Sequence, residues 1–267
     1  MSRKQIIAIV LVKNEDLFIK KVLENIFGFC DRIHVADHRS TDRTPQIIQS
    51  LAAEYNQIEY RRVDHPSESH DMIAGYAGTE TWMFGVDGDE VYDPEGLMHL
   101  REALFNGRYD KYFKISGNVL HVQQLDIPNQ TTRGYLSPPS RSVTKLYNFN
   151  AIHAWPPPCP ERLHGGKVDF KPGFSHESIG FLMNDFTWES SPFRCLHLCF
   201  THRSSIDIAS NKNKIRIRKS PGEHKLWRYN LRSWIKSFLG YEDIPLYKRN
   251  YYMRGSLVEK NIKAFGL

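Results

Sequence analysis

Ile6 to Val12 is an unbroken apolar run rich in β-branched residues, the pattern of a strand buried on both faces of a parallel sheet. Beyond Asn14 the period changes: Phe18, Val22 and Ile26 recur at helical spacing until Gly28, a helix stop. Arg32 to Asp37 reads as a second strand, running into the polar loop His38 to Thr44. Pro45 then opens a helix with the stripe Ile47, Ile48 and Leu51. Gln57 to Val63 is predicted as a third strand, His70 to Gly78 as a helix, and Trp82 to Val86 as a fourth strand that stops at acidic residues. Further on, Pro94 to Phe105 reads as helix and Tyr109 to Ile115 as strand, while the polar, Pro-, Thr- and Ser-rich stretch Gln123 to Ser142 reads as a loop or flap.

Strand and helix alternating four times over is the signature of an α/β fold with a doubly wound, mostly parallel sheet. Such sheets take ligands at the carboxyl ends of their strands, and Asn14-Glu15, Asp37 and Asp87-Gly88-Asp89 all fall there. They are expected around one crevice.

Charge divides the chain. From His202 onward there are 15 Lys and Arg against 5 Asp and Glu, whereas the first 201 residues hold 21 against 25. The net +6 therefore belongs to the tail, and the acidic remainder argues against a nucleic-acid-binding protein. Within the tail, Trp227, Leu231, Trp234, Ile235 and Phe238 form an apolar stripe beside Arg228, Arg232 and Lys236. Two readings stay open for it: a helix packed on the domain, or an interfacial helix over 222–240 on an anionic membrane surface. With 267 residues the expected layout is a catalytic domain over 1–205, with halves 1–97 and 98–205, and a basic helical extension over 206–267. The first apolar run is too short to span a bilayer, and four cysteines suggest no disulfide framework, so a cytoplasmic protein is expected.

Asp87 and Asp89, two apart in an extended backbone, would project to one side and reach a common hard cation, Mn2+ or Mg2+. Gly88 would leave room for a diphosphate. Taken alone Asp-Gly-Asp is a turn sequence; its place at a strand end inside an α/β alternation points to a metal and nucleotide site. A calcium loop fails, since its fifth and sixth positions hold Val91 and Tyr92. Gly-x-Gly-x-x-Gly and P-loop fingerprints are absent from the sequence.

Val12-Lys-Asn-Glu15, Cys30-Asp-Arg-Ile-His-Val-Ala-Asp-His-Arg-Ser-Thr-Asp-Arg-Thr44 and Trp82-Met-Phe-Gly-Val-Asp-Gly-Asp-Glu90 resemble, in order and spacing, the glycosyltransferase family 2 pattern over about residues 6–97. The resemblance implies a GT-A fold and an inverting transfer from a UDP-, GDP- or dTDP-sugar, a UDP-sugar first, to a glycan or lipid-linked acceptor of surface polysaccharide synthesis. By similarity Val12, Asn14, Glu15 and Asp37 would line the nucleoside pocket, and Asp87-Gly88-Asp89 would be the DxD metal motif. Ser40 and Asp42 match the family's Ser-Thr-Asp, where either a turn-building role or contact with ligand is implied. His38-Arg39 replaces a frequent Asn-Gly pair, so Arg39 adds charge beside the donor, and Lys13 stands where an aromatic or small residue is common.

Inversion needs a general base for the acceptor hydroxyl. Glu161 and Glu177 stand level as candidates, ahead of Asp185. Cys195-Leu-His-Leu-Cys199 lacks the spacing of a structural zinc site and reads as a buried strand. It also resembles the family's late histidine strand. That likeness implies His197 or His202 as a third metal ligand, and Arg203 and Lys212 as phosphate partners. The rival enzyme, a sugar-phosphate nucleotidyltransferase, would carry a Gly- and Arg-rich loop after its first strand, which is missing here. A glycan-binding relative without turnover would bind donor only.

Overall fold

A computed structural model describes residues 3–209 and 246–267. In chain order come β1 (Gln5–Val12), α1 (Ile19–Ile26), β2 (Arg32–Asp37), α2 (Thr44–Glu54), β3 (Ile58–Arg62), α3 (Glu68–Asp71), β4 (Thr81–Asp87), β5 (Glu90–Tyr92) and α4 (Pro94–Phe105). There follow β6 (Lys114–Ser116), β7 (Asn118–Asp126), β8 (Thr131–Ser137), β9 (Lys145–Asn148), β10 (Ile152–Ala154), β11 (Asp169–Phe170), β12 (Ile179–Phe181) and β13 (Arg194–His197). After a short helix, Ser205–Ala209, the described chain resumes with the helix Leu246–Tyr252, β14 (Leu257–Asn261) and a closing 3-10 turn, Lys263–Phe265.

Seven strands form the central sheet in the order β12-β6-β9-β4-β1-β2-β3, parallel except for β9, with helices packed on it. β1 sits between layers because its alternate side chains feed two cores. Ile6, Ala8, Val10 and Val12 pack with Val22, Leu23, Leu97 and Leu100, while Ile7 and Ile9 pack with Met83, Phe113 and Trp155 on the other face. Each such buried side chain is worth roughly 1.5–3 kcal/mol, so β1 tolerates a polar residue on neither face.

A second sheet, β14-β8-β7-β13-β5, starts where β4 ends. Gly88 and Asp89 form a turn that hands the chain from β4 to β5, and β5 pairs antiparallel with β13, placing Glu90 opposite His197. β13 in turn runs parallel to β7 with His197 opposite His121. The acidic turn is thus the hinge between two sheets.

Four expectations change. Gln123 to Ser142 is largely a β-hairpin, β7 to β8, turning at Gln130 with φ 51°; its threonines are β-formers that satisfy a ladder, not loop residues. Tyr109 to Phe113 is mostly turn, with strand only from Lys114. The helix expected over 70–78 is one turn at Glu68–Asp71 and a 3-10 turn at Ala74–Tyr76. Of the extension expected over 206–267, the end is not separate: β14 pairs with β8, Phe265 is buried against Trp188, and its carbonyl accepts from Asn25. The amphipathic segment 222–240 and Lys212 lie outside the described residues. No helix among the described residues is long and apolar enough to cross a membrane.

Asp93 caps α4, accepting from the backbone of Glu95 and Gly96 while its other oxygen holds Arg194 at 2.7 Å. Asp93→Ala is expected to destabilise by about 2 kcal/mol, the top of the N-cap range, because Arg194 is released with the cap. Urea denaturation reads this; a change below about 0.5 kcal/mol would dismiss the cap.

Candidate active site

Strand register brings the acidic residues level. Leu11 of β1 pairs with Asp87 of β4, and Val12 with Asp37 of β2, so the three carboxyl ends meet at one edge. Val12 itself is buried. Asn14 takes φ 54°, a left-handed conformation that asparagine tolerates, and staples the β1 end to the 40–44 loop. Its N–H donates to Ser40 Oγ at 2.8 Å and its Oδ1 accepts from Thr41 N–H at 2.6 Å. Glu15 N–H donates to Thr44 Oγ1.

Asp37 is fully buried, with Oδ1 accepting from Ser40 N–H and Oδ2 from the Tyr60 hydroxyl, both at 2.9 Å. Through these bonds it ties the turn that follows β2, and it is not among the side chains that line the cleft described next. Asp42 acts similarly, accepting from Thr44 N–H and from the Ser204 hydroxyl. Arg39, also at positive φ, is exposed and ion-paired with Asp64 at 2.8 Å.

Glu15, Asp87, Gly88, Asp89, His197 and Arg203 do line one cleft, together with Lys13, Cys199, Lys248 and Tyr252. Because Gly88–Asp89 is a turn, the two aspartates face different partners. Asp87 is gripped by Arg162 and by Lys145 at 2.7 Å. Burial opposes its ionisation, but these two cations hold it well below the usual carboxylate range. Lys145 also reaches Glu90 at 3.3 Å; burial pushes Glu90 up to about 7 against that pull. Asp89 pairs with Arg203, which also touches Glu15 at 3.2 Å, and lies 3.7 Å from His197 Nε2. It too is lowered against burial, by Arg203 and then His197.

Gly88 has a reason nearer than a diphosphate: a Cβ there would stand 2.7 Å from Glu15 Cγ and 3.1 Å from Val12 Cγ1. Gly85 likewise admits the stem of Lys145, whose Cβ would lie 3.1 Å from an added methyl.

His197 faces Asp89 in the cleft, whereas His202 is exposed. His197 is buried and its imidazolium is disfavoured by burial, lowering it to about 4. Asp89 Oδ2, which also holds Arg203, and His197 Nε2 are a carboxylate and an imidazole of the kinds that bind divalent cations, with Asp87 presenting a side chain 31% exposed beside them.

The two candidate bases separate. Glu177 is exposed, bonded to Ser175, and precedes β12. Ile179 of β12 pairs with Lys114, Lys114 with Tyr147, and Tyr147 with Met83, so Glu177 lies toward the amino end of β4, opposite Asp87. Glu161 is half-buried, 3.2 Å from His164, and adjoins Arg162, whose backbone and guanidinium tie the loop to Ser69 and Val86. Neither Glu161 nor Asp185 lines the cleft itself; Glu161 is joined to it through Arg162, which grips Asp87, whereas Asp185 is exposed on the segment after β12. Sequence reasoning missed Arg162, Lys145, His121, Lys248 and Tyr252. Arg162 had a signal, standing next to Glu161.

The family model described as Glycosyl transferase family 2 matches residues 7–206. A curated relative, an uncharacterized glycosyltransferase of Rickettsia bellii (strain RML369-C), is 26% identical over 148 residues, covering 54% of this chain and 46% of the relative. The chain thus matches about half the length of that relative. Similar solved structures include a mannosyltransferase from Pyrobaculum calidifontis in complex with GDP-Man and Mn2+, at 19% identity and a TM-score of 0.34 over 46% of this chain and 37% of that one. HddC from Yersinia pseudotuberculosis matches at 12% identity and a TM-score of 0.39, over 77% of this chain and 97% of its own.

Proposed function

The chain belongs to glycosyl transferase family 2, and on that premise we propose that it moves a sugar, with inversion, from a nucleotide-diphosphate donor to an acceptor hydroxyl at the carboxyl ends of β1, β2 and β4. The observation that carries this reading is the set at the β4 end, Asp89 beside His197 Nε2 and Arg203 in one cleft.

Asp89 and His197, with the open edge of Asp87, would hold a divalent cation, Mn2+ ahead of Mg2+ because one donor is imidazole. When bound, that cation would neutralise charge gathering on the departing nucleoside diphosphate. Arg203 and Lys248 line the same cleft as cations suited to the donor phosphates. Lys145 and Arg162 keep Asp87 ionised. Glu161 is the base we assign, since it sits on the loop that delivers Arg162 to Asp87 while Glu177 lies at the opposite strand ends. It would take the acceptor proton as the hydroxyl attacks the anomeric carbon opposite the leaving group.

In this reading the donor is a UDP-sugar. The acceptor is a glycan or lipid-linked hydroxyl of surface polysaccharide synthesis on the cytoplasmic face, and 222–240 meets anionic lipid. These parts rest on the sequence pattern.

Thermal shift with Mn2+ and nucleotides tests the site. UDP at one hundred times its Kd would add about 2.7 kcal/mol, roughly 5–10 °C for a chain of this size. The same shift in EDTA removes the cation from the reading, and no shift with any nucleoside diphosphate or nucleotide sugar overturns it. Stabilisation by a nucleoside triphosphate with a sugar phosphate alone would instead indicate nucleotidyl transfer.

A further inference from the structure

Behind His197, away from the cleft, lies His121 of β7, fully buried and paired with it in register. The two Nδ1 atoms are 2.8 Å apart, and His121 Nε2 lies 2.8 Å from the Arg141 carbonyl. A carbonyl only accepts, so His121 Nε2 carries a hydrogen. In a neutral ring Nδ1 is then an acceptor, and the hydrogen between the rings must belong to His197 Nδ1. His197 Nε2 is left as a lone pair, on the side of Asp89, 3.7 Å away.

We propose that His121 is a positioning residue, which through the Arg141 carbonyl fixes His197 as the Nδ1–H tautomer and so presents Nε2 to the cleft as a ligand for a divalent cation. This rests on the metal site proposed above and adds what makes that site competent. A metal-bound histidine that donates its other N–H to a fixed acceptor is both oriented and made more basic.

Packing supports the relay. Tyr252 stacks on His121 at 4.5 Å and 20°, and meets His197 edge-on at 5.3 Å and 84°. Arg141 N–H donates to the Tyr251 carbonyl, and the Ser140 hydroxyl to that of Tyr252. The segment around the acceptor carbonyl is therefore tied to the helix that supplies the stacked ring. Tyr252 and Lys248 come from beyond residue 206, where the family match ends. The competing occupant of this pair is a metal shared by His121, His197 and Cys199, whose donor atoms lie within 4.8 Å of one another. Such a metal would need His121 as a ligand and would break the chain of hydrogen bonds.

Two measurements on the full chain decide. Long-range 1H–15N correlation of the histidines, with His197→Asn for assignment, should show His197 protonated at Nδ1 in the wild-type protein without metal. Free Mn2+ by electron paramagnetic resonance, in the presence of UDP, should show His121→Phe weakening Mn2+ about 10- to 100-fold, the usual loss for an outer-shell partner, and His121→Asn staying within about 3-fold. Phenylalanine keeps the ring stack and removes the acceptor; asparagine keeps an acceptor at the δ position. His197 protonated at Nε2, wild-type Mn2+ affinity in His121→Phe, or one equivalent of zinc in the purified protein would each overturn the relay. If the wild type takes up no Mn2+ yet shows the Nδ1–H tautomer, the metal reading of the proposed function falls and the relay stands.

Discussion

Asp89→Asn is expected to lower turnover by about a thousandfold while leaving the fold in place. The proposed cation is asked to supply several kcal/mol of stabilisation to the departing diphosphate, and each ~1.4 kcal/mol is a factor of ten in rate. Asp89 is the carboxylate in that site nearest the imidazole, and removing its charge also removes half of what opposes Arg203. The fold survives because Arg203 keeps Glu15 at 3.2 Å and the Asp89 carbonyl still accepts from Leu198 N–H. Steady-state kinetics with and without Mn2+, alongside a melting curve, separate the effects. Undiminished turnover in Asp89→Asn would end the cation's role. Asp87→Asn should behave differently and lose stability as well, since it leaves Arg162 without a carboxylate partner and Lys145 with Glu90 alone.

The second large effect belongs to a residue outside the chemistry. Arg162→Met should destabilise by about 3 kcal/mol, the lower end of the cost of breaking a buried ion pair, because Asp87 keeps Lys145 and has an edge open to the cleft. For this chain length that is a fall in melting temperature of roughly 6–12 °C. Arg162 is fully buried, donates to the Val86 carbonyl, and anchors the loop that carries Glu161, so turnover should fall with it. In Arg162→Met with Asp87→Asn, the loss of stability should be less than additive, since the pair is one interaction. An additive result, or a melting temperature unchanged in the single variant, would show that Asp87 does not depend on Arg162.

Some of this was legible in the chain. The β1, β2 and β4 strands and helix α4 fall where runs and periods place them, since both are local properties of the backbone. The hairpin β7 to β8 was not legible. Thr131, Thr132 and Tyr135 suit a strand only once partner ladders exist, here β7 on one side and β14 on the other, and without them a polar hairpin resembles a loop in sequence. That Asp-Gly-Asp would face a cleft at the end of β4 was legible, yet not that its two carboxylates take different partners, because the argument from extended backbone ignored the turn at Gly88–Asp89. Glu161 and Glu177 could not be ranked without knowing that β12 runs parallel to β4.

The amino-acid sequence by itself determined the α/β alternation, the buried first strand and the gathering of carboxylates at strand ends, since each depends on neighbours a few residues apart. Tertiary structure alone decided which charges meet. Lys145 and Arg162 reach Asp87 from 58 and 75 residues away, and His121 reaches His197 from 76. Strand register and packing select those partners, and neither leaves a periodic trace in the chain.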